Sequence, residues 1–390
     1  MNDPEVSTPK NATPESLVAE PAAKPAESSH AQHPAAAFWQ RHRTLMIIAS
    51  YTVVAALAAG ALGWALTRPK PAPAAAKAPK ASVSPTPVPT PVTKLSPLTG
   101  LPVAPELAGR PITAVVIENH PDARPQSGLG QAGVVYEANA EGGITRFLAF
   151  FLDQRPASLG PVRSLRTYFI DWALEFNAPV AHAGGNADAL DLVTPLGMKD
   201  MNALSFAADG FFRTTDKVAP HNLYTNSDKL DALETRLGLA KPSNFTPSPR
   251  KQDAPNPTPP HPNIHIDFSY AGYQVDYKYD SNTNDYGRWL SGSPHIDRNT
   301  GLQIRVKNVV VEMMPTSYGT TRIGESTVIM QTVGRGTGWV MRDGDAVACT
   351  WVKDSHTART KLLDASGAEI PLDAGNTWYA IVPVGNNVSF

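Results

Sequence analysis

Five segments of the sequence carry the residue types from which binding and catalytic sites are built. They lie around residues 118–126, 141–146, 163–171, 182 and 221. Most of these segments adjoin apolar runs that are expected to be strands, and ligands of open α/β sheets bind at the carboxyl ends of the strands. The candidate ligand-binding residues are Glu118, Asn119, His120, Arg124, Gln126, Glu141, Arg146, Arg163, Ser164, Arg166, Asp171, His182 and His221. Side chains of these types can receive an anion or hold a metal ion, and no catalytic residue is assigned among them.

The segment 160–166, Gly-Pro-Val-Arg-Ser-Leu-Arg, offers the clearest physical reason for ligand binding. It opens an amphipathic run, so Ser164 is expected to cap a helix whose first N–H groups carry partial positive charge. Arg163 and Arg166 lie within one turn as bidentate donors for phosphate, pyrophosphate or carboxylate. The alternative is that these arginines pair with internal acids such as Glu141 and only hold loops together.

Three histidines, His120, His182 and His221, lie at expected strand ends or loops. With Asp188 or Glu118 they could hold a divalent metal ion. They are, however, about 60 and 40 residues apart, which matches no compact ligand spacing. We therefore predict no metal site, and the sequence identifies no cofactor.

Nucleophilic catalysis is not indicated. Ser127 and Ser164 lack the G-x-S-x-G pattern of a nucleophile elbow, and Cys349 lies in an apolar β run that is typical of a core. A single cysteine excludes an internal disulfide and a cysteine-based zinc site. The 34 Lys and Arg residues against 35 Asp and Glu residues leave no excess of positive charge, so we expect no nucleic-acid partner.

The elements that must position the candidate residues follow from apolar periodicity. Apolar runs at 112–118, 133–138, 146–152 and 178–183 predict buried strands. Residues 164–176 and 226–238 show helical spacing. We therefore predict an α/β domain, a layered sheet with helices, over residues 96–240.

Residues 263–390 contain alternating and β-branched runs separated by turn pairs such as Asp343-Gly344, so a smaller, mainly β domain with a small sheet or open barrel is expected. A proline-rich linker at 241–262 separates it from the preceding domain. Several residues of the β domain, namely Tyr286, Arg288, Trp289, Trp339, Trp351 and Trp378, could form an aromatic surface for sugar rings or a partner, but a role in the core of the domain is favoured.

The amino-terminal part differs from both domains. Residues 1–44 are poor in aromatic and β-branched residues, which predicts a disordered tail. The uncharged run Leu45–Leu66 would span roughly 33 Å as a helix, enough to cross a hydrocarbon layer of about 30 Å. It predicts a single transmembrane helix that anchors the chain in the lipid bilayer. The proline- and alanine-rich residues 67–95 predict an extended spacer.

The positive charges that flank the predicted transmembrane helix bear on its orientation in the membrane. Two flanking cations lie on its amino side and four on its carboxyl side, which favours a cytoplasmic carboxyl-terminal part. These residues are Arg41 and Arg43, followed by Arg68, Lys70, Lys77 and Lys80.

The chain resembles the YerB-like bacterial lipoproteins, whose paired domains have no established activity. The resemblance rests on stretches that occur in order along residues 96–390. They include PLTGLPV (97–103), RPITAVVIENHPDARPQSGLGQAGVVYEANAEGGITRFLAFF (110–151), GPVRSLRTYFIDWALEF (160–176), HAGGNADAL (182–190), APHNLY (219–224), YGRWLSG (286–292), TGLQIRVKNVVVE (300–312) and GNTWYAIVP (375–383). This chain lacks a lipobox cysteine, and the helix Leu45–Leu66 is expected to replace the lipid anchor.

The resemblance implies a cell-membrane protein with extracytoplasmic domains and a cytoplasmic tail over 1–44. In layout alone, the chain is also similar to LytR-CpsA-Psr envelope phosphotransferases. Two functions are therefore considered. One is the binding of an anionic envelope glycan, lipid phosphate or partner in the cleft of the first domain. The alternative is a metal-assisted hydrolase or phosphotransferase acting on envelope glycan or lipid-linked phosphate substrates.

Overall fold

The computed structural model describes residues 92–390, together with Thr67 alone from the amino-terminal part. The predicted tail 1–44, the predicted transmembrane helix Leu45–Leu66 and most of the spacer 67–95 therefore lie outside the described residues. Among the residues that are described, no helix is long and apolar enough to cross a bilayer.

Residues 92–390 are rich in short strands. The strands of the first half are β1 Lys94–Leu95, β2 Pro102–Val103, β3 Thr113–Glu118, β4 Val134–Asn139, β5 Thr145–Phe151, β6 Pro179–His182, β7 Lys199–Asn202, β8 Phe212–Arg213, β9 Leu223–Tyr224 and β10 Arg250–Lys251. Those of the second half are β11 Asn263–Asp267, β12 Gln274–Asp280, β13 Asp285–Leu290, β14 Ser293–Pro294, β15 Arg305–Val306, β16 Asn308–Met314, β17 Thr316–Thr320, β18 Ser326–Met330, β19 Gly334–Arg342, β20 Asp345–Lys353, β21 Lys361–Leu363, β22 Leu372–Asp373, β23 Thr377–Pro383 and β24 Val388–Ser389.

Helices are few, and in the described part all of them precede residue 240. They are Pro105–Ala108, Thr167–Glu175, Ala187–Val193, Ala203–Gly210 and Ser227–Arg236. Short 3-10 turns are Pro121–Ala123, Leu129–Gln131, Glu141–Gly143 and Ala271–Tyr273.

A ten-stranded mixed sheet forms the centre of the molecule, in the order β21-β20-β19-β16-β23-β4-β5-β3-β6-β7. Five of its strands come from residues 96–240 and five from residues 263–390. The two groups meet where β23 pairs in parallel with β4, so that Thr377 lies opposite Val134 and Ile381 opposite Ala138. Both strands are buried along their whole length, as expected for the middle of a sheet covered on two faces.

A second sheet, in the order β14-β13-β12-β11-β24 with β15 beside β13, lies within the carboxyl-terminal half. Its residues Ile264, Val275 and Tyr277 share a core with Val115 and other residues of the ten-stranded sheet. The other face of the large sheet packs on the helix Thr167–Glu175. The core therefore consists of two layers that both halves of the chain build together.

Many of the predicted elements are confirmed. The apolar runs at 112–118, 133–138, 146–152 and 178–183 form β3, β4, β5 and β6. The second predicted helix is Ser227–Arg236, where the Asn226 side chain accepts a hydrogen bond from the Lys229 N–H at 2.9 Å.

The expectation for the second half is met in part. Strands β11–β15 and β24 form a small sheet made only of residues 263–390, whereas β16, β19, β20, β21 and β23 complete the sheet begun by the first half. The large aromatic residues Tyr286, Trp351 and Trp378 are buried, which supports their predicted role in the core.

Candidate functional site

The segment 160–165 runs extended beside β3 and does not begin a helix. The Glu118 N–H donates to the Pro161 carbonyl at 2.9 Å, and the Arg163 N–H donates to the Val116 carbonyl at 2.9 Å. The helix begins at Thr167, and no side chain caps it. The expectation that Ser164 caps this helix is therefore wrong, because residues 161–163 hydrogen-bond to the carboxyl-terminal end of β3 and keep the backbone extended.

This extended path brings Arg163 to the carboxyl end of β3, where it meets Glu118. The Arg163 Nη2 lies 2.7 Å from Glu118 Oε1. The other carboxylate oxygen, Oε2, lies 3.0 Å from His221 Nδ1. Glu118 is almost fully buried, whereas about a sixth of the His221 side chain is exposed. A buried carboxylate thus fixes both an arginine and a histidine at the surface.

Beside the Arg163–Glu118–His221 contacts, the ring of His120 stacks on the ring of His221. The ring centroids are 4.7 Å apart, and the angle between the ring planes is 20°. Asp122 Oδ2 lies 3.6 Å from His120 Nδ1 and 3.9 Å from His221 Nε2. One potential ligand atom from each of these three residues lies within 4.8 Å of the other two. The structure therefore brings together two of the histidines singled out in the sequence.

A second group contains the arginines Arg146, Arg163 and Arg166, which we call the arginine cluster. Arg166 Nε donates to both oxygens of Glu141, at 2.7 and 2.9 Å. Arg146 Nη1 donates to the Ser164 carbonyl at 2.9 Å, and its Nε is buried without a hydrogen-bond partner in the described part of the chain. Within residues 92–390, no carboxylate lies within 4.0 Å of the Arg146 guanidinium.

The pKa values of Arg146 and Glu141 are both shifted by the surroundings of these groups in the cluster. Burial, together with the smaller effect of the nearby positive charge of Arg166, lowers the pKa of the Arg146 guanidinium to about 10. Burial alone would raise the pKa of the Glu141 carboxyl, but the hydrogen bonds and charge of Arg166 lower it overall. Positive charge is therefore crowded here, and Glu141 stabilises it.

The remaining loop residues enter a buried polar network. Asn119 accepts from Arg124 Nε at 3.1 Å and from Gln126 Nε2 at 2.9 Å. Arg124 also donates to the Gly272 carbonyl at 3.0 Å, and Gln126 Oε1 lies 2.9 Å from His295 Nε2. These contacts hold the loop against the carboxyl-terminal half, so Asn119, Arg124 and Gln126 have a structural role in positioning Glu118 and His120.

Two candidates lie apart from both groups. His182 is fully buried, with Nδ1 2.7 Å from the Gly184 carbonyl and Nε2 2.7 Å from Asp200 Oδ1. Asp171 is buried on its helix, where Oδ1 lies 2.6 Å from His356 Nδ1. Each of these side chains is engaged in contacts that hold the fold together: His182 with Gly184 and Asp200, and Asp171 with His356.

Sequence reasoning did not select three residues that matter to this region. Asp122 is one of them, and its carboxylate lies within 4 Å of a ring nitrogen of both His120 and His221. Arg288 and His295 lie at the inner end of the buried network. The position of Arg288 between the aromatic residues Tyr286 and Trp289 could have indicated a buried charge. Its partner Glu137 is 151 residues away, and no local sequence pattern identifies it.

Comparisons with known proteins agree with this architecture. A model described as "Protein of unknown function (DUF3048) N-terminal domain" matches residues 98–240, and the corresponding C-terminal domain matches residues 264–379. A protein of Bacillus subtilis (strain 168) described as "Putative lipoprotein YerB" is 32% identical over 290 residues, which is 74% of this chain and 86% of that protein.

A crystal structure of the YerB protein from Bacillus subtilis is also similar. It has a TM-score of 0.67 and 31% sequence identity, and the match covers 75% of this chain and 99% of the crystallised chain.

Proposed function

The chain belongs to the YerB-like family with DUF3048 N- and C-terminal domains, and from this premise we propose that it is an extracytoplasmic protein of the cell envelope that binds an anionic envelope ligand at the arginine cluster. The relative named as a lipoprotein supports the location. In this proposal the run Leu45–Leu66 is the membrane anchor, and the ligand is an envelope glycan or lipid that carries phosphate or carboxylate groups.

The observation that carries the binding proposal is the charge imbalance at the cluster. Three guanidinium groups lie beside two carboxylates, those of Glu118 and Glu141. Arg146 has no ion-pair partner within residues 92–390, and its Nε donor is unsatisfied. A buried donor without a partner costs about 1–3 kcal/mol, so an oxygen of an anionic ligand would relieve that cost.

The arginine cluster suits a ligand that carries phosphate or carboxylate groups. Guanidinium groups form paired hydrogen bonds with phosphate and carboxylate oxygens, and they keep their charge at any physiological pH. Ser164 contributes its carbonyl to both Arg146 and Arg166, at 2.9 and 3.4 Å, and thereby holds the two arginines at one place.

Isothermal titration of the full chain in detergent with inorganic pyrophosphate, a polyprenyl phosphate and a teichoic acid fragment tests this proposal. Arg146→Gln and the double variant Arg163→Ala/Arg166→Ala are expected to weaken binding at least tenfold. Arg236→Ala, which removes an exposed arginine paired with Asp209, is the matched control and should bind as the unmodified chain does.

Equal affinity of the cluster variants and the control would remove the assigned site. Circular dichroism of each variant shows whether it is folded, and Arg146→Lys, which keeps the charge, should retain part of the affinity. The location is tested separately with a carboxyl-terminal alkaline phosphatase fusion in bacteria, since this enzyme is active only outside the cytoplasm. An inactive fusion would contradict an extracytoplasmic location without affecting the binding result.

A further inference from the structure

We propose that His120, Asp122 and His221 form a binding site for a divalent transition-metal cation of the zinc type. None of the three ligand residues belongs to the arginine cluster. It rests on three side chains that come from two loops about 100 residues apart in sequence and meet at the carboxyl end of β3.

The distances suit a cation after small movements. Ligand atoms bound to zinc at about 2.0–2.1 Å in a tetrahedral site lie roughly 3.3 Å from one another. The Asp122 Oδ2 oxygen is 3.6 Å from His120 Nδ1 and 3.9 Å from His221 Nε2. A shift of about 0.5 Å by the exposed Asp122 side chain would bring its two distances into range. The His120 ring must also turn from its stacked position, and about a third of that side chain is exposed.

Glu118 gives this group a feature typical of metal sites. Histidine ligands of metals usually donate their second ring N–H to a carboxylate, which fixes the tautomer and raises the basicity of the ligating nitrogen. Glu118 Oε2 lies 3.0 Å from His221 Nδ1, on the side of the ring away from Asp122. Arg163 holds the other oxygen of Glu118 at 2.7 Å. Donation from Nδ1 to Glu118 would leave the lone pair of His221 on Nε2, which lies 3.9 Å from Asp122 Oδ2.

The loop that carries the other two ligands is braced. His120 precedes the 3-10 turn Pro121–Ala123, and its Nδ1 accepts a long hydrogen bond, 3.3 Å, from the Asp122 N–H. Lys217, from the segment before His221, donates to the Ala123 carbonyl. This contact ties the two loops together. The weak 3.3 Å hydrogen bond and the stacking on His221 are given up when His120 Nδ1 binds a cation.

The donor set indicates the kind of cation and its coordination. Two imidazole nitrogens and one carboxylate oxygen suit zinc and its first-row neighbours better than magnesium or calcium, which prefer oxygen ligands alone. Three protein ligands leave at least one position of a four-coordinate ion for water or an external ligand. The site therefore has the composition of an open metal centre.

The experiment uses the full chain after treatment with EDTA, titrated with Zn²⁺ by calorimetry and with Co²⁺ by visible absorption spectroscopy. We expect one equivalent of Zn²⁺ and a Co²⁺ absorption band of a four- or five-coordinate site. His120→Ala changes a partly exposed side chain and Asp122→Asn an exposed one, so both variants should fold normally and weaken Zn²⁺ binding at least tenfold. Glu118→Gln should weaken it by about 10- to 100-fold while the stoichiometry stays at one.

His265→Ala is the matched control. His265 is exposed to the same degree as His120 and lies between Asp267 and Asp276, but its two ring nitrogens face different acids, at 3.4 and 2.7 Å. Its variant should bind Zn²⁺ as the unmodified chain does. Absence of Zn²⁺ binding, unchanged affinity in His120→Ala and Asp122→Asn, or an equal loss in His265→Ala would overturn the proposal.

Discussion

Arg288 Nη2 lies 2.6 Å from Glu137 Oε2, and neither side chain is exposed to solvent. The two residues are 151 positions apart, and each belongs to a different one of the two matched domains. Trp378 Nε1 donates to the same oxygen at 3.0 Å. A buried charge pair, satisfied by further hydrogen bonds, therefore joins the two halves of the fold inside the shared core.

The first prediction concerns this pair. Arg288→Met or Glu137→Gln alone should lower the free energy of unfolding by about 3–5 kcal/mol, because each leaves a buried polar group without its partner. Urea unfolding followed by tryptophan fluorescence measures the change. The double variant should lose less than the sum of the two single losses, and strict additivity would contradict a direct interaction.

The second prediction concerns Glu312, buried in β16. Burial raises the pKa of its carboxyl to about 8, and the negative charge of Glu175 adds to the effect. Between the ordinary pKa of 4.5 and about 8, the folded protein holds a proton that the unfolded chain has released, so stability falls as the pH rises through this window.

Glu312→Gln cannot titrate, so its stability relative to the unmodified chain should increase between pH 5 and pH 8. The steepest part of this change is about 1.4 kcal/mol per pH unit. Chemical denaturation at several pH values measures it, with Glu106→Gln, at an exposed position, as the control. A difference between Glu312→Gln and the unmodified chain that does not vary with pH would refute the assignment.

The third prediction concerns Gly338 in β19. A Cβ atom at this position would overlap the carbonyl oxygen of Val311 in the neighbouring strand β16. Gly338→Ala should therefore destabilise the protein by at least about 1–3 kcal/mol, the usual range for overpacking. In Gly109→Ala, the nearest atoms lie 3.8 Å from the added Cβ, so its melting temperature should change little. Similar melting temperatures for both variants would contradict the close approach of β16 and β19.

The fourth prediction concerns the acid of the arginine cluster. Glu141 occupies Arg166 and would repel an incoming anion, so Glu141→Gln should tighten pyrophosphate binding by about 3- to 10-fold, or roughly 0.7–1.4 kcal/mol. Glu369→Gln removes the partner of Arg359 elsewhere on the surface and should leave the affinity unchanged. Weaker binding in Glu141→Gln would mean that Glu141 supports the ligand rather than competing with it.

Local elements of the fold could be predicted because their signals are local. The apolar run at 112–118 and the helix Ser227–Arg236 with its Asn226 cap follow from periodicity and capping chemistry. The start of the first long helix could not be predicted correctly. It lies at Thr167 and not near Ser164, because the preceding backbone hydrogen-bonds to β3, and no sequence pattern indicates that pairing.

Long-range contacts could not be predicted either, because local sequence patterns do not indicate which distant segments pair. The pairing of Thr377 with Val134 joins residues about 240 positions apart, and the proline-rich stretch between them indicated separate domains. The meeting of His120 and His221 is also invisible to ligand-spacing rules, which recognise donors that are close in sequence. The candidate residues at the end of β3 were found because strand ends are common ligand sites, whereas their partners required the fold.

The position of β23 between β4 and β16 has a consequence for biosynthesis. β23 is the last strand of the large sheet in chain order. It nevertheless lies in the middle of the sheet, where it joins the strands of the first half to those of the second half. During synthesis or export the first-half strands emerge long before this connecting strand, and their inward edge at β4 stays open until residue 383 has followed. An open strand edge favours pairing with other chains, so the risk of aggregation lasts until the final segment has emerged.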